Sequence, residues 1–363
     1  MSAARPAAAG GGRPLVVVNT AIELHGTSGS ATATRELVAA LRALPAVEVV
    51  ESSPASRGDH GSLRNALADA RWDLWQASRS GPQGRPVDLL VSPCNIGLRG
   101  AARRHLLVVH DVMPFDRPDL FDRKFGAYFQ ALVPRSVRSA DRVLTLSEHA
   151  ATRLRAMAPH TDVRVVAWGY GTPDSVAAAG FPVDGARPVV LMVGATAPVK
   201  NQAAGVAAVA ALRSSSGRDI GLRVLGPAGR AERDVLAAIA AVDPAGAWSS
   251  REVDVAPDLL AAAYASSWVL LQPSYDEGFG LPLVEAARHG LPAVHSGRGA
   301  MPSVLREVDA GGVAPQVLAA ALAPLLDPVE WARLSQASRE RAGAFSPGVF
   351  RATVRDAVLD LLP

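Results

Sequence analysis

Short apolar runs alternate with helix-spaced segments along most of the chain. The runs at 14–19 (PLVVVN), 47–50, 88–92, 105–110, 142–147 and 163–168 have strand length, and Leu37, Leu41 and Leu44 recur at helix spacing between the first two. Continuous apolar runs separated by helices predict a parallel sheet covered on both faces. A second set of the same kind follows, with strands at 188–194, 221–226, 267–273 and 291–296, helices at 201–213, 231–241 and 257–265, and further helices beyond. Between the two sets, 169–187 is rich in glycine and proline and has no periodicity, so it reads as an interdomain linker. The pattern predicts two doubly wound domains in tandem with a cleft between them. Ligands of such sheets bind outside the carboxyl ends of the strands, which directs attention to the loops that follow them.

Composition narrows the picture. A chain of 363 residues suits two domains of roughly 150 residues each. Almost half the residues are apolar and a fifth are charged, which excludes a disordered protein. The net charge of +3 comes from arginines scattered among acids, so nothing marks a nucleic-acid surface. Cys94 is the only cysteine, which rules out an intrachain disulfide and a cysteine zinc site and fits a reducing compartment. Residues 1–13 read as a flexible tail without the apolar centre of a signal peptide. No uninterrupted apolar run is long enough for a membrane span.

The stretch PSYDEGFGLPLVEAARHGLP, from Pro273 to Pro292, holds the densest chemistry. It follows the buried run SWVLLQP and leads into a helix with Pro282 in its first turn and Gly290 just past its end. SYDEGFG is then a strand-to-helix loop at a carboxyl edge. Gly278 and Gly280 let backbone approach a ligand, and the helix start offers unpaired N–H groups and a positive dipole end, a fit for phosphate. Carboxylates so close to a phosphate site are best explained as acceptors for hydroxyl groups. Glu277 lies in the loop and Glu285 in the helix, so one could meet a sugar and the other a ribose, with the phosphates between them.

EGFGLPLVE resembles the signature of retaining glycosyltransferases of the GT-B fold, family 4 (group 1) type, in which two glutamates flank seven residues. The match runs through Glu277, Gly278, Phe279, Gly280, Leu281, Pro282 and Glu285. The resemblance implies that Glu277 contacts the transferred sugar and Glu285 the nucleotide ribose, while backbone amides of Gly278, Phe279, Gly280 and Leu281 approach the diphosphate. VGATAPVKNQ (193–202) resembles the family's phosphate loop and puts Lys200 on the donor diphosphate. Ala195 and Val199 stand where many relatives carry arginine. VVHDVMPFDRPDLF (108–121) resembles the loop whose histidine faces the donor sugar, a role that falls to His110. HGTSGSATATRELVAAL (25–41) resembles the glycine-rich loop after the first strand, where Gly29 lets acceptor or phosphate approach. Ser147, before a helix, is expected as an N-cap.

The resemblance implies an α/β chain of two Rossmann-like domains facing a central cleft: an acceptor domain at 14–172 and a donor domain at 186–345. A helix at about 346–363 is expected to cross back onto the first domain. In AFSPGVFRATV, Pro347 departs from the aromatic usual in relatives. The implied reaction moves a sugar, with GDP-mannose the favoured donor, from a nucleotide-sugar to a hydroxyl of a glycan or glycolipid. No cofactor or metal is expected, because the sequence shows no D-x-D and no clustered His/Asp/Glu set. A cytoplasmic location, with peripheral contact at the inner membrane face, follows from the same comparison. The alternatives are a nucleotide-sugar epimerase of this architecture and a catalytically silent nucleotide-sugar-binding subunit. An oxidoreductase is disfavoured, since no G-x-G-x-x-G opens a helix after the first strand.

Overall fold

The computed structural model describes residues 12–25, 29–54, 72, 76–79, 81–168, 176–182, 185–306 and 308–362. Residues 1–11 of the expected tail, 26–28 of the expected glycine-rich loop, and 169–175 and 183–184 of the expected linker lie outside them.

The apolar runs form two all-parallel sheets. The first holds β1 (Leu15–Asn19), β2 (Glu48–Ser52), β3 (Leu89–Ser92), β4 (Arg104–Val109), β5 (Arg142–Thr145) and β6 (Asp162–Val165), in the order β2-β1-β3-β4-β5-β6. The second holds β7 (Val189–Val193), β8 (Gly221–Leu225), β9 (Ser249–Glu252), β10 (Val269–Gln272) and β11 (Ala293–His295), in the order β11-β10-β7-β8-β9. All residues of β1, β3, β5 and β10 are buried, as expected of strands sandwiched between helical layers. β2 and β6, at the edges of the first sheet, are only partly covered, and β9 has no buried residue at all. Its sequence, SSRE, is polar and only partly buried, because it pairs with β8 alone at the sheet edge.

The strand order reverses once in each sheet. In the second sheet β7 lies between β8 and β10, with Val190 beside Val269 and Leu191 beside Leu270. The loops leaving β7 and β10 in opposite directions open a crevice at that point, where such sheets take their ligands.

The helix Pro347–Leu359 packs on the first domain. Arg142 of β5, almost wholly buried, donates through Nη1 to the carbonyl of Ala357 at 2.6 Å, and Arg164 pairs with Asp360 at 3.1 Å. Phe350 lies against Trp168, with ring centroids 4.5 Å apart. Pro347 sits in the first turn, where its missing N–H costs nothing, and the Ser346 hydroxyl caps the turn by accepting from the Val349 amide. Ser147 likewise caps the helix Glu148–Met157 by accepting from the Ala150 amide. Among the described residues no helix is long and apolar enough to cross a membrane.

Candidate active site

Two loops meet at the crevice of the second sheet. After β7 the chain bends at Gly194 (φ +136°) and runs through a single turn, Pro198–Lys200, to Asn201 in the left-handed region. The Asn201 side chain donates to the carbonyls of Pro273 and Val313, and the Tyr275 amide donates to the carbonyl of Val199 at 2.8 Å. These bonds stitch the β7 loop to the β10 loop. Lys200 and Glu277, 77 residues apart in sequence, are thereby brought into contact: Nζ lies 2.7 Å and 2.8 Å from the two carboxylate oxygens. Glu277 Oε1 also accepts from Gln272 Nε2 at 2.6 Å and from Ser274 Oγ at 2.7 Å. A carboxylate only 4% exposed needs such a complement of donors to stay buried.

The residues expected to hold the sugar and the diphosphate therefore hold each other. Any anion reaching Lys200 has to compete with Glu277 for it. Gln272 and Ser274, which sequence reasoning did not single out, hold Glu277 by bonds that do not involve Lys200.

The two glycines serve different needs. A Cβ on Gly278 would lie 2.2 Å from Asp111 Cβ and 2.9 Å from the His110 carbonyl oxygen. The closest approach at Gly278 is to the loop of the first domain, where the sequence reading expected a ligand. Gly280 adopts φ +88° at the start of the helix Leu281–Arg288, a conformation suited to glycine. Phe279 is buried with its ring edge-on to Phe345, and Leu281 packs against the core. What these two can offer a ligand is backbone.

His110 follows β4 and is 8% exposed. Its amide donates to Asn95 Oδ1, and its Nε2 lies 2.7 Å from the Pro93 carbonyl. Burial pushes the imidazole below its ordinary pKa, with the Pro93 contact opposing. A neutral ring that donates through Nε2–H keeps its lone pair on Nδ1, which suits a hydroxyl of a sugar. Trp168 lies beside it, with ring centroids 5.9 Å apart. Asp111, the next residue, accepts from the Met113 amide, and burial raises its carboxyl to about 6, with Asp276 and Glu277 adding to the rise. Gly29 is exposed at the first position of the helix Gly29–Arg42 and has open space beside its Cα.

Glu285 sits in the helix Leu281–Arg288, and its Oε2 accepts from the Tyr264 hydroxyl at 2.5 Å. Burial lifts its carboxyl to about 7, against the pull of Tyr264 and Arg288.

Both domains also contribute to a cavity of about 420 Å³ lined by Asp116, Arg117, Tyr275, Asp276 and Arg298. Arg117 stands over the Tyr275 ring, 5.1 Å from its centroid. Beside it, Asp116, His149 and Asp276 bring potential ligand atoms within 4.8 Å of one another. The absence of ligand spacing in the sequence could not foresee this set, because its members come from three segments and both domains. Asp116 is already engaged by His149 at 2.9 Å and Arg153 at 2.7 Å. A larger hollow of about 700 Å³, at Leu98, Arg99 and Arg138 to Asp141, lies at the amino ends of β4 and β5, away from the strand ends where these folds bind ligands.

Two parallel α/β domains meeting at their strand-end loops define a GT-B glycosyltransferase fold. Residues 187–328, most of the second domain, match the model of the family glycosyl transferases group 1. Among curated proteins the chain is similar to the serotype-specific mannosyltransferase WbdA of Escherichia coli, 27% identical over 215 residues, covering 54% of this chain and 26% of that protein. It is also similar to D-inositol 3-phosphate glycosyltransferase of Corynebacterium efficiens, 37% identical over 95 residues, covering 25% of this chain and 22% of that protein. The chain thus spans about a quarter of the length of the curated relatives it matches. Among solved structures, sucrose-phosphate synthase from Thermosynechococcus elongatus superposes with a TM-score of 0.74 at 17% identity, covering 96% of this chain and 99% of that one. Anabaena HepE in complex with UDP-glucose superposes with a TM-score of 0.68 at 14% identity, covering 95% and 99%.

Proposed function

We propose that the chain is a retaining glycosyltransferase of the family 4 type, moving a hexose from a nucleotide-sugar, GDP-mannose by preference, to a hydroxyl of a glycan or glycolipid. The observation that carries this reading is the meeting of Lys200, Glu277 and the start of the helix Leu281–Arg288 at one crevice, opposite His110 of the other domain. Lys200 and the helix start would stabilise the charge growing on the leaving diphosphate, and His110 and Glu277 would orient the sugar. Glu285 would accept from the ribose. Glu277 is tied by four hydrogen-bond contacts to Lys200, Gln272 and Ser274, which favours a positioning carboxylate over a nucleophile of a double displacement. The acceptor hydroxyl would then attack on the face that the diphosphate leaves, and the diphosphate would help to take its proton.

With Lys200 and the helix start on the diphosphate, the reaction would need no metal there. Asp116, nearest to a cation site, already has its oxygens taken by His149 and Arg153. Likeness to a mannosyltransferase supports GDP-mannose. A cytoplasmic enzyme extending a glycan at the inner membrane face fits this substrate class.

The test is incubation with GDP-mannose, UDP-glucose and a dTDP-deoxysugar, with and without glycan acceptors, followed by NMR of the product anomer. Transfer with the donor's anomeric configuration kept supports the proposal, and an inverted product overturns the retaining mechanism. Epimerised free sugar without acceptor would favour an epimerase, and tight nucleotide-sugar binding without turnover a silent subunit.

A further inference from the structure

Tyr264 belongs to none of the sequence motifs, yet its hydroxyl donates to Glu285. It lies in the helix Pro257–Ser266, and its ring is 2% exposed. The ring stacks on His289, with centroids 5.5 Å apart and planes 16° from parallel. His289 caps the end of the helix that carries Glu285, four residues on, so the two share a face. It is itself fixed: Nδ1 lies 2.7 Å from the Ala177 carbonyl, and its own carbonyl accepts from the Ala179 amide at 2.8 Å. The Tyr264 ring is thus clamped in one orientation, with its hydroxyl 2.5 Å from Glu285 Oε2. The second carboxylate oxygen, Oε1, makes no hydrogen bond among the described residues.

We propose that Tyr264 is a positioning residue that anchors one oxygen of Glu285 and presents the other to the ribose hydroxyls of a bound nucleotide. This rests on the reading of Glu285 as the ribose acceptor. An unanchored glutamate would sample several rotamers, and the hydrogen bond to the ribose would have to select one of them. The hydroxyl acts on charge as well as direction. Burial raises the Glu285 carboxyl to about 7, while Tyr264, and after it Arg288 on the same helix, favour the ionised form. Tyr264 is pushed well above its ordinary range and so remains a donor, and burial holds His289 below its own. An ionised carboxylate accepts stronger hydrogen bonds than a protonated one. Affinity for a ribonucleotide should therefore rise with pH through the Glu285 titration, and loss of the tyrosine hydroxyl should move that rise to higher pH.

The experiment compares the wild-type chain, Tyr264→Phe and Glu285→Ala in calorimetric titrations with GDP, UDP and their 2′,3′-dideoxy forms from pH 6 to pH 9. Phenylalanine keeps the ring and its stacking, and thermal melts check that it does. Tyr264→Phe is expected to bind the ribonucleotides roughly tenfold more weakly at pH 7, to lose there most of its preference for ribo over dideoxy forms, and to regain only part of that affinity at pH 9. Unchanged ribo-over-dideoxy preference, or a loss equal for both forms at every pH, would overturn the positioning role. If Glu285→Ala binds ribonucleotides as tightly as the wild type, the reading of Glu285 itself has failed. A loss there of roughly tenfold to a hundredfold with an unaltered Tyr264→Phe sinks only the part given to the tyrosine.

Discussion

Replacing Gly278 by alanine tests whether the two domains work through the contact they make at this loop. The added methyl would sit 2.2 Å from Asp111 Cβ and 2.9 Å from the His110 carbonyl oxygen. Carbon atoms rest about 3.5–4.0 Å apart, so one loop has to retreat by more than about 1 Å. Both neighbours are backbone or Cβ, with no flexible end to swing aside. The retreat separates His110 from Glu277, and a misplacement of about 1 Å in a reacting geometry costs on the order of a hundredfold in rate. Lys200, Glu285 and the helix Leu281–Arg288 all belong to the second domain and keep their mutual arrangement. Gly278→Ala should therefore reduce transfer about a hundredfold while nucleoside diphosphate affinity stays within about twofold. Calorimetry with the product nucleotide, run beside a transfer assay on the same preparation, reads both quantities. Wild-type turnover, or a parallel loss of affinity, would refute the argument.

Glu277→Ala should cut transfer sharply yet leave nucleoside diphosphate affinity unchanged or improved, since Lys200 is released from its carboxylate partner; a weakened nucleotide titration would contradict this. His110→Ala should lower turnover and spare nucleotide binding, because the residue comes from the other domain; equal losses in both would remove His110 from the sugar. Transfer should persist in EDTA, and activity that vanishes on chelation and returns with Mg²⁺ or Mn²⁺ would instead bring the Asp116, His149 and Asp276 set into the reaction.

The fold was legible wherever strands are buried on both faces, because a continuous apolar run of strand length, as in β1 and β10, has to be covered from both sides. β9 escaped for the converse reason: SSRE is an edge strand held by its ladder to β8, without an apolar signal. At the site, Lys200, Glu277 and Glu285 could be singled out because their loops resemble motifs of a known family, and the structure brings Lys200 and Glu277 into contact. Gln272, Ser274, Tyr264 and Asp111 could not be, since each matters through a neighbour that only the folded chain supplies. Gly278 shows the same limit: its lack of a side chain signals a close approach, but what approaches it in the structure is Asp111, 167 positions earlier in the chain.

The bond from Arg142 to Ala357 joins residues 215 positions apart. Arg142 is nearly buried, and a buried guanidinium without its acceptors is costly. During synthesis, β5 therefore leaves the ribosome long before the carbonyl that completes its surroundings, with the whole second sheet translated in between. Domains commonly fold in order from the amino end. Here the flank beside β5 and β6 stays open until residues 347–360 are made, and a nascent chain halted before them would expose Trp168 and the Arg142 pocket to chaperones and proteases.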